Sequence, residues 1–338
     1  MRRISSLAGL FLLALLPTLA RADTRSDFLK IIDRPRVPLD AKWVSPLGDD
    51  APVAFSYATD ATHRVPGILL GSSSQRKPVV IVLHGTGGNK NDELPLLRKL
   101  AARGFVAISI DAPHHGQRSK LGRGNAEHEE AFVQAYKSTS ADHEHPFFYD
   151  TVWDVMRLVD YLETRPDVDA KRIGLMGISK GGIETYLSAA VDQRIAAVPC
   201  IGVQSFKWAL DNNDFLGRIN TVKNAFATLA KDEGVAKIDS AFVQKVYDKV
   251  VPGIYSEFDG PAMLPLIAPR PLLSISGEND DHCPLPGVKI AAEAASKAYK
   301  DAGAEDHFVL RVQEKTGHRV NPDSEQAAIE WFAKWLKP

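Results

Sequence analysis

From residue 78 onward, unbroken apolar runs alternate with stretches in which apolar positions recur every three or four residues. PVVIVLHG (78–85), FVAISIDAP (105–113), RIGLMGIS (172–179), IAAVPCIGV (195–203) and PLLSISGEN (271–279) are apolar without alternation. That pattern predicts strands buried on both faces. FVLRVQ (308–313) is the last strand, and VAFSYATD (53–60) and RVPGILL (64–70) predict two earlier ones separated by a turn. Helical spacing fills the gaps. Leu94, Leu97, Leu100 and Ala101 share one face of 92–103, which Gly104 stops. Val152, Val155, Met156, Val159 and Leu162 share another over 149–164. A helix follows residue 179 to about Ala190, and an alanine-rich one ends at Gly303. The last begins at Asn321-Pro322, a cap residue with proline in the first helical position, and buries Ile329, Phe332 and Leu336. Residues 23–50 read as irregular, with Pro35 and Pro38. Two stretches break the rhythm: 114–148, polar and holding five histidines, and 204–268, helical in character.

Strand–helix alternation predicts a mostly parallel sheet with helices on both faces. Ligands of such sheets sit at the carboxyl ends of the strands, so catalytic residues are expected just after strands. A chain of 338 residues allows one large domain or two small ones. The net charge of −1, with no run of one sign, offers no footprint for nucleic acid or a membrane surface. The N-terminus differs. Arg2 and Arg3, an apolar run from Leu7 to Ala20 and the small-x-small Ala20-Arg21-Ala22 read as a signal peptide over 1–22. Fourteen apolar residues fall short of the roughly 20 that a membrane span needs. The expected mature chain starts at Asp23 and works outside the cytoplasm, periplasmic or secreted, with no stable membrane insertion. Cys200 and Cys283 are expected as two buried thiols rather than a disulfide.

Gly177-Ile178-Ser179-Lys180-Gly181 fits G-x-S-x-G between a strand and a helix. There a serine on a sharp turn projects its hydroxyl above the sheet, and the flanking glycines avoid clashes with strand and helix. The competing reading is a helix-capping serine. A serine nucleophile needs a base. His318 lies just past the last strand, whereas His307 lies before it, on the opposite edge. The imidazole needs a carboxylate. Glu278, Asp280 and Asp281 follow the preceding strand; Asp280 is preferred and Asp281 is the rival. Two backbone donors for an oxyanion are assigned to Lys180 N–H and, in LHGTGG (83–88), to Thr86 N–H. A glycine-rich loop also cradles phosphate, but GxxxxGK[ST] and GxGxxG are both absent at this loop. His114-His115 and His143-Glu144-His145 offer imidazoles of the kind that bind zinc, but without further ligand spacing they read as a solvated polar insertion, and no metal is expected.

LHGTGG, DAPHHGQRS (111–119), GISKGG, APRPLLSISGENDDHCP (268–284) and GHRV (317–320) together resemble the α/β-hydrolase superfamily, in its dienelactone hydrolase and acetyl xylan esterase branch. The resemblance spans about residues 65–336. It implies an α/β-hydrolase fold: an eight-stranded, mostly parallel sheet, helices on both faces, and a helical cap after the sixth strand at about 204–268. Residues 23–338 would form that single domain. It implies a Ser179–Asp280–His318 triad and no cofactor. Phe206 and Trp208 at the start of the cap are candidates for the substrate pocket, or for packing the cap onto the core. Serine where true dienelactone hydrolases carry cysteine points to carboxylic esters, such as acetylated sugars or other small esters. A prolyl-oligopeptidase-type peptidase is the first rival. It is weakened because only about 50 residues separate Asp23 from the first buried strand. A catalytically inactive binding relative is the second, although no triad residue is missing. Carbon–halogen or epoxide hydrolysis is a third, although such relatives place aspartate where Ser179 stands.

Overall fold

The computed structural model describes residues 23–44, 51–122, 124–140, 145 and 147–338. The signal-peptide reading, His143 and Glu144 lie outside the described residues. The described strands are β1 (Lys42–Val44), β2 (Val53–Ala58), β3 (Arg64–Leu70), β4 (Lys77–Leu83), β5 (Val106–Ile110), β6 (Val168–Ile178), β7 (Ile195–Cys200), β8 (Leu272–Gly277) and β9 (Phe308–Gln313). They form one nine-stranded sheet in the order β1-β2-β3-β5-β4-β6-β7-β8-β9. From β5 to β9 every pairing is parallel. β1, β2 and β3 add an antiparallel wing, so the sheet is mixed. The expected count of eight misses β1. Its three residues are all exposed, so no buried face marks it in the sequence. It is held by its ladder to β2 and by Trp43 stacked on Phe55, with ring centroids 5.4 Å apart.

A helix α1 over 23–32 corrects the irregular reading of that stretch. Its buried residues, Phe28 and Ile32, are four apart and face the core. Phe28 meets Tyr149 and Phe258 edge-on. Then come α2 (Leu94–Ala102), α3 (Ala126–Lys137), α4 (Tyr149–Glu163), α5 (Lys180–Val191), α6 (Phe206–Asp211), α7 (Leu216–Asn220), α8 (Lys223–Asp232), α9 (Ser240–Val250), α10 (Gly260–Met263), α11 (Leu285–Asp301) and α12 (Pro322–Leu336). The apolar runs divide between two cores. Val79, Ile81 and Leu83 of β4 join the cluster that holds α4 and α5, and Val80 and Val82 join the cluster of α2 and α12. Alternate residues feeding opposite faces is what makes β4 apolar throughout. Asn321 caps α12 as expected, its side chain accepting from Ser324 N–H.

The two rhythm-breaking stretches form one lobe. Phe132 of α3, Phe147, Phe226 of α8 and Tyr247 of α9 pack with ring centroids 5.6–5.9 Å apart. Glu129 of α3 accepts from Asn224 N–H and Nδ2–H. The solvated-insertion reading of 114–148 is therefore overturned, since His115 and His128 are buried. Helices α6 to α10 lie between β7 and β8. Among the described residues no helix is long and apolar enough to cross a membrane.

Candidate functional site

Ser179 follows β6 at φ 58°, ψ −115°, immediately before α5. A non-glycine residue there is strained by about 1–3 kcal/mol, so the surroundings must impose it. They do so through two glycines. A Cβ on Gly177 would lie 2.0 Å from the Gly181 carbonyl oxygen, and one on Gly181 would lie 2.4 Å from the Leu83 carbonyl oxygen of β4. Strand, turn and helix are thus drawn closer than any side chain permits. The Ser179 side chain makes no capping bond to α5; its backbone oxygen accepts from Gly182 and Ile183 instead. That sets the helix-cap reading aside.

Ser179 Oγ lies 2.7 Å from His318 Nε2. On the other side of the ring, His318 Nδ1 lies 2.9 and 2.8 Å from the two Asp280 oxygens. A carboxylate accepts, so the ring proton sits on Nδ1 and the Nε2 lone pair faces the serine hydroxyl. Asp280 is buried, and its Oδ1 also accepts from the N–H groups of His282 and Cys283. The rival Asp281 points outward and pairs with His282 Nδ1 at 2.7 Å. His307 is remote from this chain of bonds, held by the Pro269 carbonyl.

Thr86 and Lys180 flank the serine. Lys180 opens α5, where the first N–H groups have no intrahelical acceptor. Residues 85–88 form a turn closed by Gly88 N–H to the Gly85 carbonyl, with Gly87 at φ 76°. That bond leaves the Thr86 N–H unused. A Cβ on Gly85 would come within 3.6 Å of Ser179 Cβ, so the loop lies directly against the elbow. His84 fixes its base. Nδ1–H donates to the Gly85 carbonyl at 2.8 Å, and Nε2 accepts from Ala112 N–H at 3.1 Å. Burial, then the nearby charge of Lys180, holds the His84 imidazole well below the ordinary histidine range, so it stays neutral.

Three features lay beyond sequence reasoning. His282 stacks on His318, with centroids 4.2 Å apart and planes 16° from parallel. Its pKa is lowered by burial and by His318. The Lys180 side chain is buried and paired to Glu184 at 2.7 Å. Their i,i+4 spacing was the one available signal. Burial pushes the Glu184 carboxyl up to about 7 against that pairing. His84, His115 and His128 form a row, with centroids 5.1 and 4.8 Å apart. In DAPHHGQRS, Asp111 is the buried organiser: it accepts from Lys90 N–H, Lys90 Nζ and Gln117 N–H. The pocket candidates divide. Phe206 is 1% exposed and packed among Phe148 and Tyr255, in the core. Trp208 is partly exposed beside Gly287 of α11. Among the described residues, donor atoms of Asp280, His282 and His318 lie within 4.8 Å of one another, near enough to share a metal ion.

The dienelactone hydrolase family profile matches residues 65–216, and that of the BAAT / acyl-CoA thioester hydrolase C-terminal region matches 157–324. A Bacillus subtilis (strain 168) protein named as a hydrolase, YtaP, is 26% identical over 238 residues, 70% of this chain and 67% of its own. An acetyl xylan esterase from Paenibacillus sp. R4 superposes with TM-score 0.62 at 21% identity, covering 98% of this chain and 96% of that one. A glucuronoyl esterase from Solibacter usitatus gives 0.61 at 18% identity, covering 93% and 92%. With the strand order and the elbow already described, these likenesses show an α/β-hydrolase fold, and the dienelactone hydrolase profile covers residues 65–216 of it.

Proposed function

We propose that the chain hydrolyses carboxylic esters through an acyl-enzyme on Ser179. The observation that carries this is the 2.7 Å approach of His318 Nε2 to a serine hydroxyl on a sterically forced turn. His318 takes the hydroxyl proton as Ser179 attacks the ester carbonyl. Asp280 orients the ring and stabilises its charged form. The N–H groups of Thr86 and Lys180 receive the developing oxyanion. His318 then protonates the leaving alcohol, and water releases the acid by the reverse sequence. Short-acyl esters such as acetylated sugars are the favoured substrates, supported by the acetyl xylan and glucuronoyl esterases among the similar folds. The test is hydrolysis of p-nitrophenyl esters from acetate to decanoate by the wild type and Ser179→Ala. Turnover is expected to fall with chain length and to drop by on the order of a millionfold in the variant. Equal rates in both proteins would overturn the reading. The leader over 1–22 supports an exported enzyme; an N-terminus at Asp23 after secretion would bear this out, and an intact Met1 would refute it.

A further inference from the structure

Arg218 of α7 is a fully buried cation without a carboxylate partner among the described residues. Its Nη2 donates to the His282 carbonyl at 3.1 Å and to Cys283 Sγ at 2.9 Å. Its guanidinium lies 5.6 Å from the centre of the Phe206 ring. Its Nε–H has no acceptor. Three more buried polar atoms nearby lack partners: the hydroxyls of Tyr186 and Tyr247, and Gln204 Oε1. Gln204 donates through Nε2 to the same His282 carbonyl that Arg218 uses. The Tyr247 ring meets Tyr255 at 5.2 Å, and Tyr255 meets Phe206 at 5.6 Å. Buried polar groups in native proteins are almost always hydrogen-bonded to protein, ordered water or ligand, so a cluster of orphans around a buried cation marks a place where the chain alone does not supply the partners.

The chemistry of the orphans selects that ligand. Burial pushes the phenols of Tyr186 and Tyr247 above their usual range, so both stay donors. Burial likewise raises the Cys283 thiol to about 12, so it brings no competing negative charge. The three orphan donors, Arg218 Nε–H and the two phenols, call for an acceptor with lone pairs and one negative charge; Gln204 Oε1 is itself an acceptor and is not satisfied by it. The neighbouring carboxylates are committed elsewhere. Asp280 serves His318 and two N–H groups, and Asp259 accepts from Ser205 Oγ and from the N–H groups of Phe206, Lys207 and Gly260. A dianion would face both of them with only one cation in support. The aromatic walls suit a flat, singly charged group. The cluster is also close to the nucleophile. Cys283 Sγ contacts the Ile201 carbonyl, and the adjoining Cys200 carbonyl accepts from Ser179 N–H.

Resting on the esterase reading above, we propose that Arg218, Tyr186 and Tyr247 receive a carboxylate at the far end of the acyl chain. The favoured substrates are then half-esters of short dicarboxylic acids. Two measurements test this, one of them independent of turnover. In Ser179→Ala, the singly charged half-ester monomethyl glutarate is expected to raise the melting temperature and neutral dimethyl glutarate to leave it unchanged. Adding Arg218→Met is expected to abolish the monomethyl glutarate response, and Tyr247→Phe, which keeps the ring, to reduce it severalfold in affinity. In the active enzyme, kcat/KM for mono-p-nitrophenyl glutarate is expected to exceed that for p-nitrophenyl butyrate at least tenfold, with the preference lost in Arg218→Met and reduced in Tyr247→Phe. If Arg218→Met does not fold, the Tyr247→Phe arms decide alone. A monomethyl glutarate response unchanged by the substitutions, or absent in Ser179→Ala, overturns the site. A response without half-ester preference overturns the acyl assignment and leaves a free carboxylate ligand. A response that depends on Arg218 in a chain that cleaves no ester keeps the site and removes the esterase reading.

Discussion

The triad and the histidine row beside it are wired in opposite ways. Every polar side-chain atom of Ser179, His318 and Asp280 has a partner. In the row, His115 Nε2 and both ring nitrogens of His128 have none. Burial pushes His115 down to about 3 and holds His128 well below the ordinary range. The charge of Lys180 adds to burial in depressing all three imidazoles of the row. One residue type therefore does two jobs. An imidazole flanked by a carboxylate can accept a proton during reaction; an imidazole in an apolar hole acts as a rigid aromatic plate.

Breaking the wired side should cost most. His318→Ala is expected to lower kcat by roughly 10⁴–10⁶-fold with little change in melting temperature, read by steady-state kinetics beside thermal unfolding. Gly181→Ala tests whether the elbow's shape is imposed by close approach. With a Cβ 2.4 Å from the Leu83 oxygen, backbone shifts costing about 1–3 kcal/mol are expected, and kcat should fall at least roughly a hundredfold. An active, fully stable variant would refute the steric account.

The row should show itself in acid. Its imidazoles are neutral when folded and titrate near 6.5 when unfolded, so the unfolded chain takes up protons first. The stability they contribute is present above about pH 6.5 and is lost as pH falls toward the folded values, about 3 for His115. The slope is about 1.4 kcal/mol per pH unit for each imidazole. His128→Phe removes one and keeps a ring against Phe147, so its acid unfolding midpoint should move lower; an unchanged midpoint would count against the buried row. The smallest effect is expected at the contact beside the base. His282→Ala removes the stacked ring and should lower kcat severalfold with KM unchanged, because only the orientation of His318 loosens.

The sheet was legible because its strands are buried on both faces, which leaves apolar runs such as 78–83 that no other element explains. The elbow was legible because close approach demands glycine at 177 and 181, and topology alone separated His318 from His307. Asp280 and Asp281 are adjacent and chemically alike, so which one turns inward was decided by backbone bonds to His282 and Cys283, invisible in a string of letters. The insertion at 114–148 was misread because its polar letters fold inward. His115 and His128 are buried, His128 stacked on Phe147 and against His115, and His115 in turn against His84. Strand β1 and helix α1 were missed because three exposed residues and a single buried i,i+4 pair carry too little periodicity to register.

The approach of α7 to the acid loop has a consequence for engineering. A Cβ on Gly217 would lie 1.9 Å from the Asp281 carbonyl oxygen, and the Thr221 carbonyl accepts from Asn125 Nδ2, next to the Gly124 N–H that bonds to Gly87. The helical segment is thus held at one end against the loop that carries Asp280 and Asp281 and at the other, through Asn125 and Gly124, to the glycine-rich loop beside Ser179. It is not a detachable module. A chimera that grafts this segment alone from a relative would inherit new walls and misaligned chemistry together, so segment, acid loop and glycine-rich loop have to be transplanted as one piece.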